Sequence, residues 1–201
     1  MKGKFKDIEN RLKELGITSR FGAFPKELII KIEQKYNIKL PIDYSEFLME
    51  FGTVNIDHEI CFPLLNKYPS ARSDGTEGIV NFYGFQEGES NLFKIIDRYI
   101  GRMPTTLIPI AESPGGDQLC IGVGEETWGK IYYWDHEQER MHPSIQELWD
   151  NVYLTAHSFT DFILSFKVRL EVESESPKVV SIKMSDEFLK LMKKTKNNQS
   201  E

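Results

Sequence analysis

Residues 107–135 read LIPIAESPGGDQLCIGVGEETWGKIYYWD, and this stretch decides the fold of the chain. Apolar residues alternate with other residues in two runs, at 108–111 and at 119–123. Two Gly-containing segments, at 113–117 and 125–129, separate these runs from each other and from a third run of apolar and aromatic residues. A period of two is typical of β-strands, and Pro followed by Gly is typical of a tight turn. The stretch therefore predicts a three-stranded meander in which the alternating apolar residues share one sheet face.

The meander also carries most of the acidic character of the chain. Residues 108–139 contain seven acids and one base, Lys130, so their local charge of −6 equals the net charge of the whole chain. Most of these acids sit at predicted turns, so we expect them to project from the ends of the sheet and share one field. They are Glu112, Asp117, Glu125, Glu126, Asp135, Glu137 and Glu139. The rim either binds a basic partner or only maintains solubility.

The segments on both sides of the meander predict helices and further strands that cover it. Apolar residues at helical spacing predict helices at 4–15, 25–37, 40–52, 90–101 and 158–166, and strands are predicted at 57–65 and 79–85 with a polar loop at 66–78. Ser90 and Ser158 are predicted helix caps, and Ser144 stands at capping-box spacing from Glu147. These patterns predict an α+β domain over residues 1–170, followed by a charged linker and C-terminal extension at 171–201.

Composition excludes several classes of protein. The longest apolar runs are far shorter than the roughly 20 residues that span a bilayer, and no signal-peptide core follows the first residues, so we expect a cytoplasmic protein with no membrane partner. Cys61 and Cys120 are far apart, which favours free buried thiols over a disulfide or a metal pair. A sequence pI of about 5.4 argues against nucleic acid as the main partner and leaves basic proteins as plausible ones.

The polar residues of the meander match no catalytic pattern. His136, Glu137 and His142 have no common zinc spacing. Glu112 and Asp117 face each other across the predicted Pro-Gly turn, but general acid–base work needs a desolvated carboxyl, and Asp117 is better interpreted as a cap of the turn backbone. The paired glycines lack the lysine and the following helix of a phosphate loop. The sequence therefore predicts no enzyme, no metal and no cofactor.

Four motifs, in this order along the chain, resemble those of a known family. They are Leu40-Pro41-x-Asp43-Tyr44-x-x-Phe47-Leu48 with Gly52, Ile108-Pro109-Ile110-Ala111 with Gly116-Asp117, Gly129-Lys130-Ile131-Tyr132-Tyr133-Trp134-Asp135-His136-Glu137, and Ser158-Phe159-x-x-Phe162-Ile163. The family is the SUKH superfamily, in the branch of the fungal cell-wall-synthesis regulators, and the resemblance covers about residues 25–167. It implies a central, mostly antiparallel sheet flanked by helices. The segments at 142–156 and after residue 170 depart from the usual pattern.

The resemblance also implies a function that rests on binding. Bacterial members of this type are typically immunity proteins, cytoplasmic antitoxins encoded beside secreted polymorphic toxins, many of them nucleases or deaminases. The leading interpretation is therefore an immunity protein that binds and neutralises a cognate, basic toxin. The alternative is an intracellular regulatory interaction module without a toxin. The sequence makes no prediction of the oligomeric state.

The predicted partner surface combines the acidic rim with one aromatic residue. Trp128 lies in a predicted turn, where packing explains it less well than a strand position would, so it is a candidate anchor for a partner. The predicted contacts are Glu112, Asp117, Glu125, Glu126, Trp128, Asp135, Glu137 and Glu139. The competing surfaces are the helical face and the 142–156 insertion.

Overall fold

The computed structural model describes residues 2–17, 24–56, 59–66, 68–69 and 71–169, with side chains from residue 5 onward. In these residues the helices are α1 Lys2–Glu14, α2 Lys26–Tyr36, α3 Ile42–Phe51, α4 Leu92–Tyr99 and α5 Phe159–Leu164. The strands are β1 Val54–Asn55, β2 Ile60–Pro63, β3 Thr76–Gly78, β4 Asn81–Phe82, β5 Leu107–Glu112, β6 Gln118–Gly122, β7 Ile131–Trp134, β8 Val152–Ala156 and β9 Lys167–Val168. Short 3-10 helices span His136–Gln138 and Glu147–Trp149. The predicted extension at 171–201 and the predicted strand start at 57 lie outside the described residues.

The predicted meander is confirmed as β5, β6 and β7. All three strands pair antiparallel, with Glu112 opposite Gln118 and Cys120 opposite Tyr132. In the β5–β6 turn, Pro114 precedes Gly115, whose φ of +91° is the positive value that the second central position of a type II turn requires. The meander forms the middle of a six-stranded antiparallel sheet with strand order β1-β4-β5-β6-β7-β8. A second sheet has the order β3-β2-β9 and is also antiparallel.

Helices cover the large sheet on both faces. Trp134 and Asn81 are aligned in one row across the strands, so their side chains point to the same face of the sheet. Phe82 follows Asn81 in β4, and its side chain therefore points to the opposite face. The ring of Phe82 packs against Phe47 of α3 at 4.9 Å, whereas Trp134 packs against Tyr99 of α4 at 5.4 Å. Both faces of β6 and β7 are buried as a result. The predicted α+β fold is confirmed, and α4 buries the sheet face opposite to the one that α3 covers.

Two strand predictions need correction, and one strand was not predicted. Residues 76–78, predicted as part of a polar loop, form β3 because β2 offers them hydrogen-bonding partners. The predicted strand at 79–85 is a strand only at Asn81–Phe82, since the chain crosses from the small sheet to the large one before it and turns at Gly84 after it. The 142–156 insertion contains β8, which extends the large sheet beyond β7.

The predicted caps are confirmed except at α4. Ser158 accepts a hydrogen bond from the Asp161 N–H at 3.0 Å at the start of α5. Ser144 and Glu147 form the reciprocal bonds of a capping box, although the turn that follows is a 3-10 helix. The cap of α4 is Asn91, not Ser90, because the amide of Asn91 bonds the helix start and also the preceding loop.

Two further observations concern the whole described chain. Cys61 and Cys120 are free and buried, as predicted, and burial raises the pKa of the Cys120 thiol. Among the described helices, none combines the length and the apolar character that crossing a bilayer requires.

The aromatic core allows a direct test of the helix assignments. The centre of the Phe47 ring lies within 5.2 Å of the centres of three other rings. The centre of the Phe162 ring lies 4.8 Å from that of Phe166 and 5.1 Å from that of Phe62. We expect Phe47→Ala or Phe162→Ala to lower the free energy of unfolding by about 3–5 kcal/mol, since each leaves a cavity that the neighbours fill only partly.

Denaturant unfolding followed by circular dichroism measures this change. Leu164→Ala on α5 is the control, because Leu164 is 44% exposed and its loss should cost below about 1 kcal/mol. Equal denaturation midpoints for Phe162→Ala and Leu164→Ala would show that Phe162 is not part of the core.

Candidate partner interface

The eight residues predicted as partner contacts fall into two groups in the structure. Glu125, Glu126, Glu137 and Trp128 are exposed, and the three glutamates have no side-chain partner among the described residues. The other four are held by neighbours, as Glu112 shows with its carboxylate 3.2 Å from the donating amide of Asn81. A turn position alone therefore does not make an acid available to a partner.

Asp117 connects the β5–β6 turn to the end of β7. One carboxylate oxygen accepts the His136 backbone N–H at 2.9 Å and lies 2.7 Å from Nδ1 of the same residue. The other oxygen accepts the Tyr133 hydroxyl at 2.5 Å. Burial, followed by the adjacent Asp117 carboxylate, raises the pKa of Tyr133, so the phenol stays a donor. The expectation that Asp117 caps its own turn is wrong, since both oxygens bind residues of β7 and the segment that follows it.

Asp135 is buried, with 1% of its surface exposed, and the expectation that it projects from the sheet is wrong. Its carboxylate accepts the Glu137 N–H at 2.9 Å and caps the 3-10 helix after β7. Its backbone carbonyl accepts the Asn151 amide at 2.7 Å, which ties the helix to the chain before β8. Asp135 thus orients the exposed Glu137.

Glu139 is neutralised by a bidentate ion pair. Its two oxygens accept from Nε and Nη2 of Arg102 at 2.7 and 2.6 Å. The guanidinium also lies 4.7 Å from the centre of the Tyr99 ring and 5.5 Å from that of Trp134. Paired planar groups of this kind hold their geometry well, so Glu139 adds little negative potential for a partner.

Three side chains of this region also come close enough together to suggest a metal site. Asp117, Asp135 and His136 each bring one potential ligand atom within 4.8 Å of the others. The sequence suggested His136 with Glu137 and His142 instead. It did not indicate Asp117, because only the fold brings Asp117 to His136 from a different turn. The Asp117 oxygens are already hydrogen-bonded, and Asp135 caps a helix. We interpret the group as a structural network, and the absence of a metal stays a prediction.

The β6–β7 connection, here called the Trp128 turn (residues 123–130), is built around the buried side chain of Thr127. The Thr127 hydroxyl accepts the Gly124 N–H at 3.1 Å and donates to the Thr106 carbonyl at 3.1 Å. The Lys130 N–H donates to the Thr127 carbonyl at 3.0 Å. These bonds close the turn from within and leave the side chains of residues 125, 126 and 128 outside.

Close backbone packing explains the two glycines that flank this turn. A Cβ on Gly122 would lie 1.8 Å from the Thr127 carbonyl oxygen, and one on Gly124 would lie 2.6 Å from Cγ2 of Thr106. Neither distance is compatible with a larger residue in the same geometry. The two glycines therefore allow the turn that carries Trp128 to fold closely against its own backbone and against Thr106.

An open cleft of about 420 Å³ lies between the Trp128 turn and the start of α3, and is here called the Trp128 cleft. Trp128 is 46% exposed and Ile42 is 61% exposed, so two large apolar side chains at this cleft meet solvent. The lining residues are Pro41, Ile42, Asp43, Glu46, Trp128, Gly129, His157 and Ser158. Sequence reasoning missed Ile42 and Glu46. The available signal was that Ile42 is apolar yet lies outside the buried stripe of its helix.

Asp43 fixes the wall of this cleft. Its Oδ2 accepts from the backbone N–H and the hydroxyl of Thr160 at 3.1 and 2.9 Å, which joins the start of α3 to the start of α5. Its Oδ1 accepts the Tyr44 N–H at 3.0 Å. The cleft therefore has walls that are set before any partner arrives.

A second exposed apolar surface lies in the predicted insertion, on residues 140–150, here called the Arg140 loop. Met141 is 89% exposed, Ile145 is 79% exposed and Trp149 is 37% exposed. Arg140 holds the loop in shape by bridging Glu147 at 3.0 Å and Asp150 at 2.9 Å. This surface has fewer unpaired acids than the Trp128 turn, and it stays the competing partner surface.

The hydroxyl of Thr127 provides a test of the turn geometry. We expect Thr127→Val to lower the free energy of unfolding by about 1–3 kcal/mol, because the shape is kept while the part-buried Gly124 N–H loses its acceptor and the Thr106 carbonyl keeps only the Val123 N–H as donor. Thr127→Ser is the control and should retain most of the stability, since it keeps the hydroxyl. A stability of Thr127→Val equal to that of the natural protein, measured in urea, would show that these bonds do not hold the turn.

Comparison with known proteins agrees with the four motifs found in the sequence. The profile of the SMI1 / KNR4 family (SUKH-1) matches residues 24–165, which is more than half of the chain. The chain is also 32% identical, over 200 residues, to the SPbeta prophage-derived uncharacterized protein YokK of Bacillus subtilis (strain 168). That similarity covers 92% of this chain and 98% of YokK. The chain therefore belongs to the SMI1/KNR4 (SUKH-1) family.

Proposed function

We propose that this protein is an immunity protein that neutralises a cognate polymorphic toxin, of nuclease or deaminase type, by binding it through the Trp128 turn. Membership of the family supports a protein-interaction or immunity-type role in general. The observation that supports the specific proposal is the turn itself. A hydrogen-bonded frame displays the unpaired acids Glu125 and Glu126 directly beside the half-exposed Trp128.

The charge of this surface suits the class of target. A nuclease must present Lys and Arg side chains to the phosphates of its substrate, so an acidic surface is its physical complement. Opposite potentials also accelerate diffusional encounter, which matters for a protein that must act before the toxin reaches nucleic acid. Among the predicted contacts, Glu125, Glu126 and Glu137 are the acids that have no side-chain partner in the described part of the chain, and they would supply this steering.

The proposed mechanism is occlusion without catalysis. Association orders flexible groups at a cost in free energy, and a turn already closed by internal hydrogen bonds avoids part of that cost. The aromatic side chain of Trp128 then gives the complex its lifetime, because a large ring that becomes buried at the centre of an interface contributes far more than the charges at its rim. The alternative is a regulatory interaction module, which would bind a partner other than a toxin.

Coexpression with the neighbouring gene tests the function. The open reading frame beside the gene for this chain is expressed alone and together with the chain, and growth is followed. We expect growth arrest by the neighbour alone, rescue by the chain, and a stoichiometric complex in size-exclusion chromatography with light scattering. A neighbour that is harmless, or a toxic neighbour that the chain neither binds nor rescues, would contradict the proposal and favour the regulatory alternative.

The kinetics of this complex locate the surface. We expect the triple variant E125K/E126K/E137K to associate at least about tenfold more slowly at low salt, while its stability changes little because the three charges are exposed and unpaired. The matched control is E27K/E59K/E87K, which changes the net charge equally at three other exposed acids. Equal association rates for the two variants would show that only net charge matters.

Dissociation distinguishes the two exposed apolar surfaces. We expect Trp128→Ala to raise the dissociation rate by about thirtyfold or more, as truncation of a central aromatic anchor costs about 2 kcal/mol or more. Trp149→Ala on the Arg140 loop is the control and should change that rate less than threefold. The reverse order of effects, measured by surface plasmon resonance, would move the interface to the Arg140 loop.

A further inference from the structure

The Trp128 cleft combines apolar walls with acidic charge. Trp128 and Ile42 expose large apolar surfaces there, and Asp43 and Glu46 also line the cleft. Glu46 has no side-chain partner among the described residues, whereas the oxygens of Asp43 already accept hydrogen bonds from Thr160 and Tyr44. Glu46 is therefore the acid with free acceptor capacity.

Within the part of the chain that the structure describes, no lysine or arginine side chain lines this cleft. Lys130, the base nearest in sequence to Trp128, donates its Nζ to the Glu126 backbone carbonyl at 2.8 Å and does not line the cleft. Among the described lining residues, His157 alone can carry a positive charge, and it is exposed. The described lining of the cleft thus places an acidic side chain without a described partner beside an exposed indole.

We propose that the Trp128 cleft is a subsite for an arginine side chain of the partner. The guanidinium stacks on the Trp128 ring and donates to the Glu46 carboxylate, and the aliphatic stem lies along Ile42. Arginine fits better than lysine because its planar head can stack on an indole while it donates in a fork to a carboxylate, and because it is less strongly hydrated than an ammonium group. This inference rests on the proposed function for its biological meaning, since basic toxin surfaces carry such side chains.

The dimensions and rigidity of the site agree with this occupant. A volume of about 420 Å³ falls within the range of about 300–1,000 Å³ that is typical of ligand sites, so the cleft has room for one long side chain. The walls are held by the Thr127 bonds on one side and by the Asp43–Thr160 bonds on the other. A site that is already formed spends little free energy on ordering itself.

Titration with a small probe tests the subsite without any toxin. The full-length 15N-labelled protein is titrated with N-acetyl-arginine amide while the indole N–H signals are followed by NMR, and Trp128→Phe identifies the signal of Trp128. We expect a saturable shift of that signal at millimolar probe. Glu46→Gln should weaken binding about three- to fivefold, which is what an exposed cation–carboxylate contact gives. Glu87→Gln is the control and should leave the affinity unchanged.

A neutral probe separates charge recognition from apolar binding. N-acetyl-norleucine amide has an aliphatic chain without the cation, and we expect it to bind at least threefold more weakly than the arginine probe. Equal affinity of the two probes, an unaltered affinity in Glu46→Gln, or shifts confined to residues 140–150 would each overturn the subsite. The amide spectrum of Glu46→Gln shows whether the variant is folded.

The outcome for the subsite is independent of the outcome for the function. Specific arginine binding at Trp128 together with a harmless neighbouring gene would retain the subsite and reject the toxin. Rescue from a toxin together with no arginine binding would retain the immunity function and reject the subsite.

Discussion

The contact on which this structure depends is the aromatic cluster that joins α3, β4 and α5. Phe47 lies 4.9 Å from Phe82 and 5.0 Å from Phe159, so one ring of α3 binds the sheet and the closing helix together. Because Asp43 starts the same helix and bonds Thr160 of α5, the cluster also determines where the wall of the Trp128 cleft stands. Helix α3 therefore contributes both to the aromatic core and to the wall of the candidate interface.

Local patterns predicted the elements well where the signal was internal to a segment. The meander, the helices and the caps at Ser158 and Ser144 follow from alternation, helical spacing and capping chemistry. The errors arose where a distant neighbour decides the structure. Residues 76–78 form a strand because β2 lies beside them, and β8 extends the sheet because the exposed edge of β7 accepts it. A window along the chain contains neither neighbour.

In the candidate site too, features set by the local sequence could be predicted, and features set by distant residues could not. That Trp128 and its flanking glutamates lie at the surface could be predicted from a turn sequence rich in polar residues and glycine. The burial of Asp135 could not be predicted from the sequence, because its position depends on the loop before β8, more than ten residues away. Ile42 and Glu46 were missed because the cleft is formed by two elements that are adjacent only in the folded chain.

The hydrogen bonds inside the Trp128 turn have a consequence for how this surface can change over time. The frame depends on Gly122, Gly124 and Thr127, none of which faces outward as a contact. The residues that do face outward, at 125, 126 and 128, contribute no side-chain hydrogen bond to that frame. Mutations at the three outward positions can therefore change the chemistry of this exposed surface while the hydrogen bonds that close the turn are kept. Such a separation allows the outer surface of the turn to diverge by substitution at a few codons without loss of the fold.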